Sequence, residues 1–82
     1  MNCKARDKIL KAIQIKDDIQ EIIDFLDGNY EMEPWFNEND NLVIEIKGEL
    51  SWVNKGHWIV LFDNDIHFFA DWIFRIYFRL VK

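Results

Sequence analysis

The spacing of apolar residues changes along this chain, and each change marks an element. Ile19, Ile22, Ile23 and Leu26 recur at helical spacing, which predicts a helix over residues 17–27 with a single apolar stripe. Asp17 stands where an N-cap belongs, with Gln20 three residues on in the capping-box arrangement. Asp18 and Glu21 fall in the first turn, where negative charge suits the helix dipole. Gly28 supplies the stop. Upstream, Ile9, Ala12 and Ile13 also fit a helical period, with Lys4, Lys8 and Lys11 on the solvent side. The two apolar faces are rotated from one another, so this segment and the next are expected as one bent helix or two short ones meeting near residues 14–16.

Residues 28–41 read as a connection. Pro34 forbids ordinary helix, and Asn37-Glu38-Asn39-Asp40-Asn41 is turn chemistry. Trp35 and Phe36 are its expected anchors. From Leu42 the period falls to two. Leu42, Ile44, Ile46, Leu50 and Trp52 alternate with Glu45, Lys47, Glu49 and Ser51, the pattern of a half-buried strand with one wet face. Gly48 in its middle marks a bulge or bend. Asn54-Lys55-Gly56 signals a hairpin into a second strand over residues 57–62, apolar on both faces, and Asp63-Asn64-Asp65 a further turn.

Beyond it every even position from Ile66 to Leu80 is apolar. That alternation favours a strand over residues 72–81, with Trp72 and Phe74 facing inwards and Tyr77 outwards. The rival is a helix with Asp65 as cap and a stripe of Ile66, Phe69, Ala70, Ile73, Ile76, Tyr77 and Leu80, which leaves Phe68 and Phe78 among charges. The expected fold class is therefore α+β in a single domain of 82 residues: an N-terminal helix, bent or split, followed by an antiparallel β-meander of three to four strands.

Composition narrows the function classes. Half of the residues are hydrophobic and 16% aromatic, including four Trp, which excludes a disordered chain. Cys3 is the single cysteine, set near the chain end where fraying is expected, so no disulfide forms within the chain and a reducing, cytoplasmic setting is expected. No signal-like or membrane-spanning apolar run is present.

The net charge of −5 conceals a stronger pattern. Residues 1–16 balance at +4 and residues 75–82 at +3, whereas residues 17–49 set eleven carboxylates against Lys47 for −10. Such asymmetry either keeps an aromatic-rich protein soluble or steers an electrostatic partner.

The chemistry-bearing residues do not assemble into a catalytic pattern. His57 and His67, with Asp63 and Asp65, lack the paired spacing of a metal site. Neither Asp63-x-Asp65 nor residues 37–41 carry the Gly and Glu of a calcium loop. Ser51 is the one serine, threonine is absent, Cys3 has no indicated histidine partner, and three scattered glycines make no phosphate loop. The reading is a non-enzymatic protein without cofactor or metal.

Apolar groups on both faces of the last strands need two covers. Ile59, Leu61, Phe69, Ile73 and Tyr77 are expected to form a self-association face, giving a homo-oligomer such as a dimer; residues 28–36 wrapping round are the intramolecular alternative. The acidic segment is expected to bind a partner protein with a basic surface through Asp17, Asp24, Glu31, Glu33 and Glu38, with Trp35 and Phe36 as anchors. Small size and richness in Ile, Lys, Asn and Asp fit a phage or mobile-element inhibitor that occupies a nucleic-acid-binding site. The alternatives are a nucleic-acid-binding module using Lys4, Lys8, Lys11, Arg75 and Arg79, or a small enzyme with an unrecognised site.

Overall fold

A computed structural model describes residues 1–6, 8–63 and 65–81. Among these the chain forms eight strands and two short helices: β1 (Asn2–Ala5), β2 (Lys8–Gln14), α1 (Ile19–Leu26), β3 (Trp35–Phe36), β4 (Asn41–Ile46), β5 (Glu49–Asn54), β6 (Trp58–Phe62), β7 (Asp65–Phe69), α2 (Asp71–Tyr77) and β8 (Arg79–Val81). The strands make two antiparallel sheets, in the orders β7-β6-β2-β1-β8 and β3-β4-β5. The protein is mostly β, and the expected N-terminal helix followed by a meander is overturned.

The chain divides into two compact units. One comprises Met1–Gln14 with Gly56–Lys82 and holds the five-stranded sheet; the other, Ile15–Lys55, is inserted into it between β2 and β6 and holds the three-stranded sheet and α1. The insertion's charge balance is −8, eleven carboxylates against Lys16, Lys47 and Lys55, and that of the outer unit is +3.

In the outer unit the segment expected as a helix is the β1–β2 strand pair, in register Asn2↔Lys11 to Ala5↔Lys8. Only Ile9, Ala12 and Ile13 carried the helical period. Pairing of β2 on both sides, with β1 and with β6, outweighs so weak a local signal. Cys3 is not frayed: it is 0% exposed within β1, and burial pushes its thiol pKa up.

The tail splits three ways. β7 keeps the alternation, but Ala70 begins a helical turn and α2 replaces the strand expected over residues 72–81. The reason is an aromatic stack. Phe74 and Phe78 are four residues apart and stack face to face at 5.0 Å, and Phe74 lies flat on Trp58 at 4.0 Å. Phe69 meets Phe78 edge-on at 5.1 Å. With Cys3, Ala12, Val60 and Leu10 these rings form the core of this unit. The polar side of α2 is tied down as well. Asp71 Oδ1 accepts from the Trp58 indole Nε1 at 2.8 Å, and both its carboxylate oxygens accept from Arg75 Nε at 3.0 Å. These donors hold the Asp71 carboxyl below the usual carboxylate range, the indole contributing most. Trp72, expected inside, is 68% exposed.

In the insertion, α1 lies where its apolar stripe places it, with Ile22 and Leu26 buried. Its cap is Asp18 rather than Asp17: Asp18 Oδ1 accepts from Gln20 N at 3.0 Å. The single strand expected from Leu42 to Trp52 is instead a hairpin. Lys47 and Gly48, at φ 52° and 83°, form a two-residue turn between the pair Ile46↔Glu49. Nor do residues 54–56 make a hairpin, because β5 pairs with β4 and β6 pairs with β2 and β7. Gln14, the last residue of β2, donates from Nε2 to the Gly56 carbonyl at 3.0 Å. The insertion therefore leaves and re-enters the outer unit at one clasped point.

Candidate functional site

The hairpin changes which side chains share a face. A two-residue turn pairs an even position with an odd one, as in Val43↔Trp52 and Glu45↔Leu50. Leu50 and Trp52 thus leave the Leu42–Ile44–Ile46 face and stand on the opposite one. Trp35 joins them through the pair Trp35↔Val43. Two tryptophans, 39% and 62% exposed, flank the buried Val43, with Leu50 (44% exposed) and Glu45 two pairs further along on the same face. An indole face exposed in an acidic setting suits an arginine or lysine of a partner. The ring attracts the cation through its quadrupole, and neighbouring carboxylates add Coulomb attraction.

The predicted carboxylates of the insertion are engaged unevenly. Asp24, Glu31, Glu33 and Glu38 are all exposed. Asp24 accepts from Gln20 Nε2 at 2.8 Å along α1. Asp17, by contrast, is engaged by Lys55 Nζ at 2.7 Å. That hydrogen bond and the adjacent charge lower the Asp17 pKa and raise that of Lys55. Lys55 also approaches Asp40 at 3.5 Å and stands 4.7 Å from the centre of the Phe36 ring. Phe36 is half-buried and pairs with Leu42, on the side away from Trp35. Asp17 and Phe36 therefore belong to an internal clasp of the insertion, and of the two expected anchors Trp35 is the one exposed to solvent. The loop between β3 and β4 is the expected turn: Asn37 Oδ1 accepts from the backbone of Asn39 at 2.9 Å and of Asn41 at 3.0 Å.

The expected self-association face is dispersed. Ile59 is fully buried, Leu61 and Phe69 are half-buried and point to opposite sides of the five-stranded sheet, and Ile73 and Tyr77 lie on α2. Exposed apolar groups of this unit instead include Trp72, Ile76 and Tyr77 on α2 and Leu80 on β8, between 50% and 69% exposed, with Met1 and Ile9 each 62% exposed at the β1–β2 pair. The cations proposed for nucleic acid divide too. Lys4 pairs with Arg79 across β1–β8, Lys11 shares their face, Lys8 points to the other, and Arg75 is bound to Asp71.

The single-strand pattern set Leu50 and Trp52 on the buried face, opposite Glu45, whereas the hairpin brings them onto the Glu45 face and into solvent. The signal was present in Lys47-Gly48, a two-residue turn that reverses the parity of everything after it. Among the described residues no cluster of three or more His, Cys, Asp or Glu is placed to hold a metal ion, and no helix is long and apolar enough to cross a membrane. Comparison of the chain with protein-family models, with curated proteins and with solved structures finds no match.

Proposed function

We propose that the protein is a small non-enzymatic interaction protein, an inhibitor of the phage or mobile-element kind, that occupies a basic, nucleic-acid-binding site on a partner protein. The observation that carries this reading is the pair of exposed tryptophans, Trp35 and Trp52, on one sheet face of a unit whose charge balance is −8. The exposed carboxylates Asp24, Glu31, Glu33 and Glu38 steer a cationic surface towards the insertion, and the indoles hold it. The single cysteine fits work in a reducing compartment such as the cytoplasm.

Nona-arginine serves as the test probe. It should quench tryptophan emission saturably with a steep salt dependence. Trp35→Ala and Trp52→Ala should each weaken it by about 0.5–1 kcal/mol. Reversing Asp24, Glu31 and Glu33 to Lys should slow its association more than it speeds dissociation. Retention of the protein on immobilised DNA at low salt, with no response to nona-arginine, would replace this reading by the nucleic-acid module built on Lys4, Lys11 and Arg79.

Self-association is the second reading, favoured by the α2 patch. Trp72, Ile76, Tyr77 and Leu80 belong to the unit of balance +3 and are complementary to the acidic tryptophan face of another copy. Such a contact is heterologous, and sedimentation equilibrium should show mass rising with concentration and falling with salt. A constant monomer mass at micromolar concentration would exclude it.

A further inference from the structure

α2 covers only part of its side of the five-stranded sheet. Near Trp58 the sheet lies under Phe74. Towards the β1–β2 turn the same side stays open, and two adjoining hollows occupy it, sharing Ala5, Leu10 and Phe62 as walls. One hollow, about 260 Å³, is completed by Val60, His67, Phe69 and Phe78. The other, about 550 Å³, is completed by Arg6, Lys8 and Tyr77. Lys8 Nζ stands 4.6 Å from the centre of the Phe62 ring, so its ammonium is held above the apolar floor. Arg6 is exposed at φ 55°, directly after β1.

The groove is thus graded along its length, apolar where Val60, Phe69 and Phe78 line it and cationic where Arg6 and Lys8 do. Small-molecule sites share this form: mostly apolar walls, and a few polar groups that fix orientation. We propose that this groove binds a single-chain amphipathic anion, its aliphatic tail against Leu10, Val60, Phe69 and Phe78 and its acidic headgroup between Arg6, Lys8 and the Tyr77 hydroxyl. A neutral tail alone would bring the two cations no anionic partner. A cationic amphiphile would meet them with like charge.

Sodium decanoate below its micelle concentration is the probe, read by NMR chemical shifts of the full chain. Saturable shifts are expected at Leu10, Val60, Phe62, Phe69 and Phe78, and decanol should bind at least about tenfold more weakly, the scale of a charge-assisted hydrogen bond. Decyltrimethylammonium should not bind. The double variant Arg6→Gln, Lys8→Gln alters exposed side chains only, so it should fold normally, lose the preference for decanoate over decanol and keep the decanol affinity. Ala5→Phe, at the wall common to both hollows, should abolish binding of decanoate and decanol alike. The assignment is overturned by shifts that do not saturate or spread over both units, by equal affinity for decyltrimethylammonium, or by an unchanged preference in the double variant. Retention on phosphatidylglycerol vesicles without any response to decanoate would also overturn it, in favour of a membrane surface.

Discussion

Phe74 and Trp72 are two residues apart, and the choice between strand and helix for the tail decides their relative importance. On a strand both face inwards and truncating either is costly. On α2 they point apart: Phe74 is 2% exposed, between Trp58 at 4.0 Å and Phe78 at 5.0 Å, whereas Trp72 is 68% exposed. Truncating a buried Phe to Ala costs about 3–5 kcal/mol. A chain of this length has about 4–12 kcal/mol in total, so Phe74→Ala should consume a large share of it and leave a protein partly unfolded near 37 °C. At about 4–8 °C per kcal/mol for a domain of this size, the thermal midpoint should fall by about 12 °C or more. Trp72→Ala removes a larger side chain from the surface and should change stability by no more than about 0.5 kcal/mol. Urea unfolding followed by far-UV circular dichroism measures both without relying on tryptophan emission, which the second variant alters. Equal losses from the two variants would refute α2 and the aromatic stack together.

Two further perturbations test other parts of the fold. Asp71 has a folded pKa below its unfolded value of about 3.9, so the stability it contributes is present above about pH 4 and is lost as pH falls through the folded value; Asp71→Asn should therefore be less stable than the native protein at pH 7, with the gap in urea midpoint closing on acidification, and a gap that widens in acid would reverse the assignment. Gly48 lies at φ 83° with no atom within 4 Å of where a Cβ would sit, so Gly48→Ala should cost only the backbone strain of about 1–2 kcal/mol in urea unfolding, with the β4–β5 register intact by NMR; no measurable cost would argue against the two-residue turn.

What could be read from the sequence was whatever local physics decides. The α1 stripe, the Asn37 turn and the strand character of β4 and β6 each arise within a few residues, and each is where its pattern puts it. What could not be read depends on pairing between distant segments. β2 is a strand because β1 and β6 border it, a fact that Ile9, Ala12 and Ile13 alone do not encode. α2 interrupts a run of perfect alternation because Phe74 and Phe78 find Trp58 from another strand. The candidate site was half legible for the same reason. Trp35 was singled out from its loop, but Trp52 reached the same face only through the reversal at Lys47-Gly48. Asp17 looked like a cap and a free carboxylate, and a lysine thirty-eight positions away claims it.

The clasp at Gln14 and Gly56 has a consequence for how the chain reaches this structure. β1 is an interior strand of its sheet, and β8, at the other end of the chain, completes its pairing through Asn2↔Val81. During synthesis the outer unit cannot close until the last strand has emerged, while the insertion is continuous and all its pairings lie within Ile15–Lys55. Bringing β2 to β6 across a slack insertion carries a loop-closure entropy that grows with the logarithm of the intervening length. A folded insertion whose two ends already lie together removes most of that search. The acidic unit is thus placed to act as the folding nucleus of the basic one, and substitutions that loosen the β4–β5 hairpin should slow the formation of a sheet to which they contribute no strand.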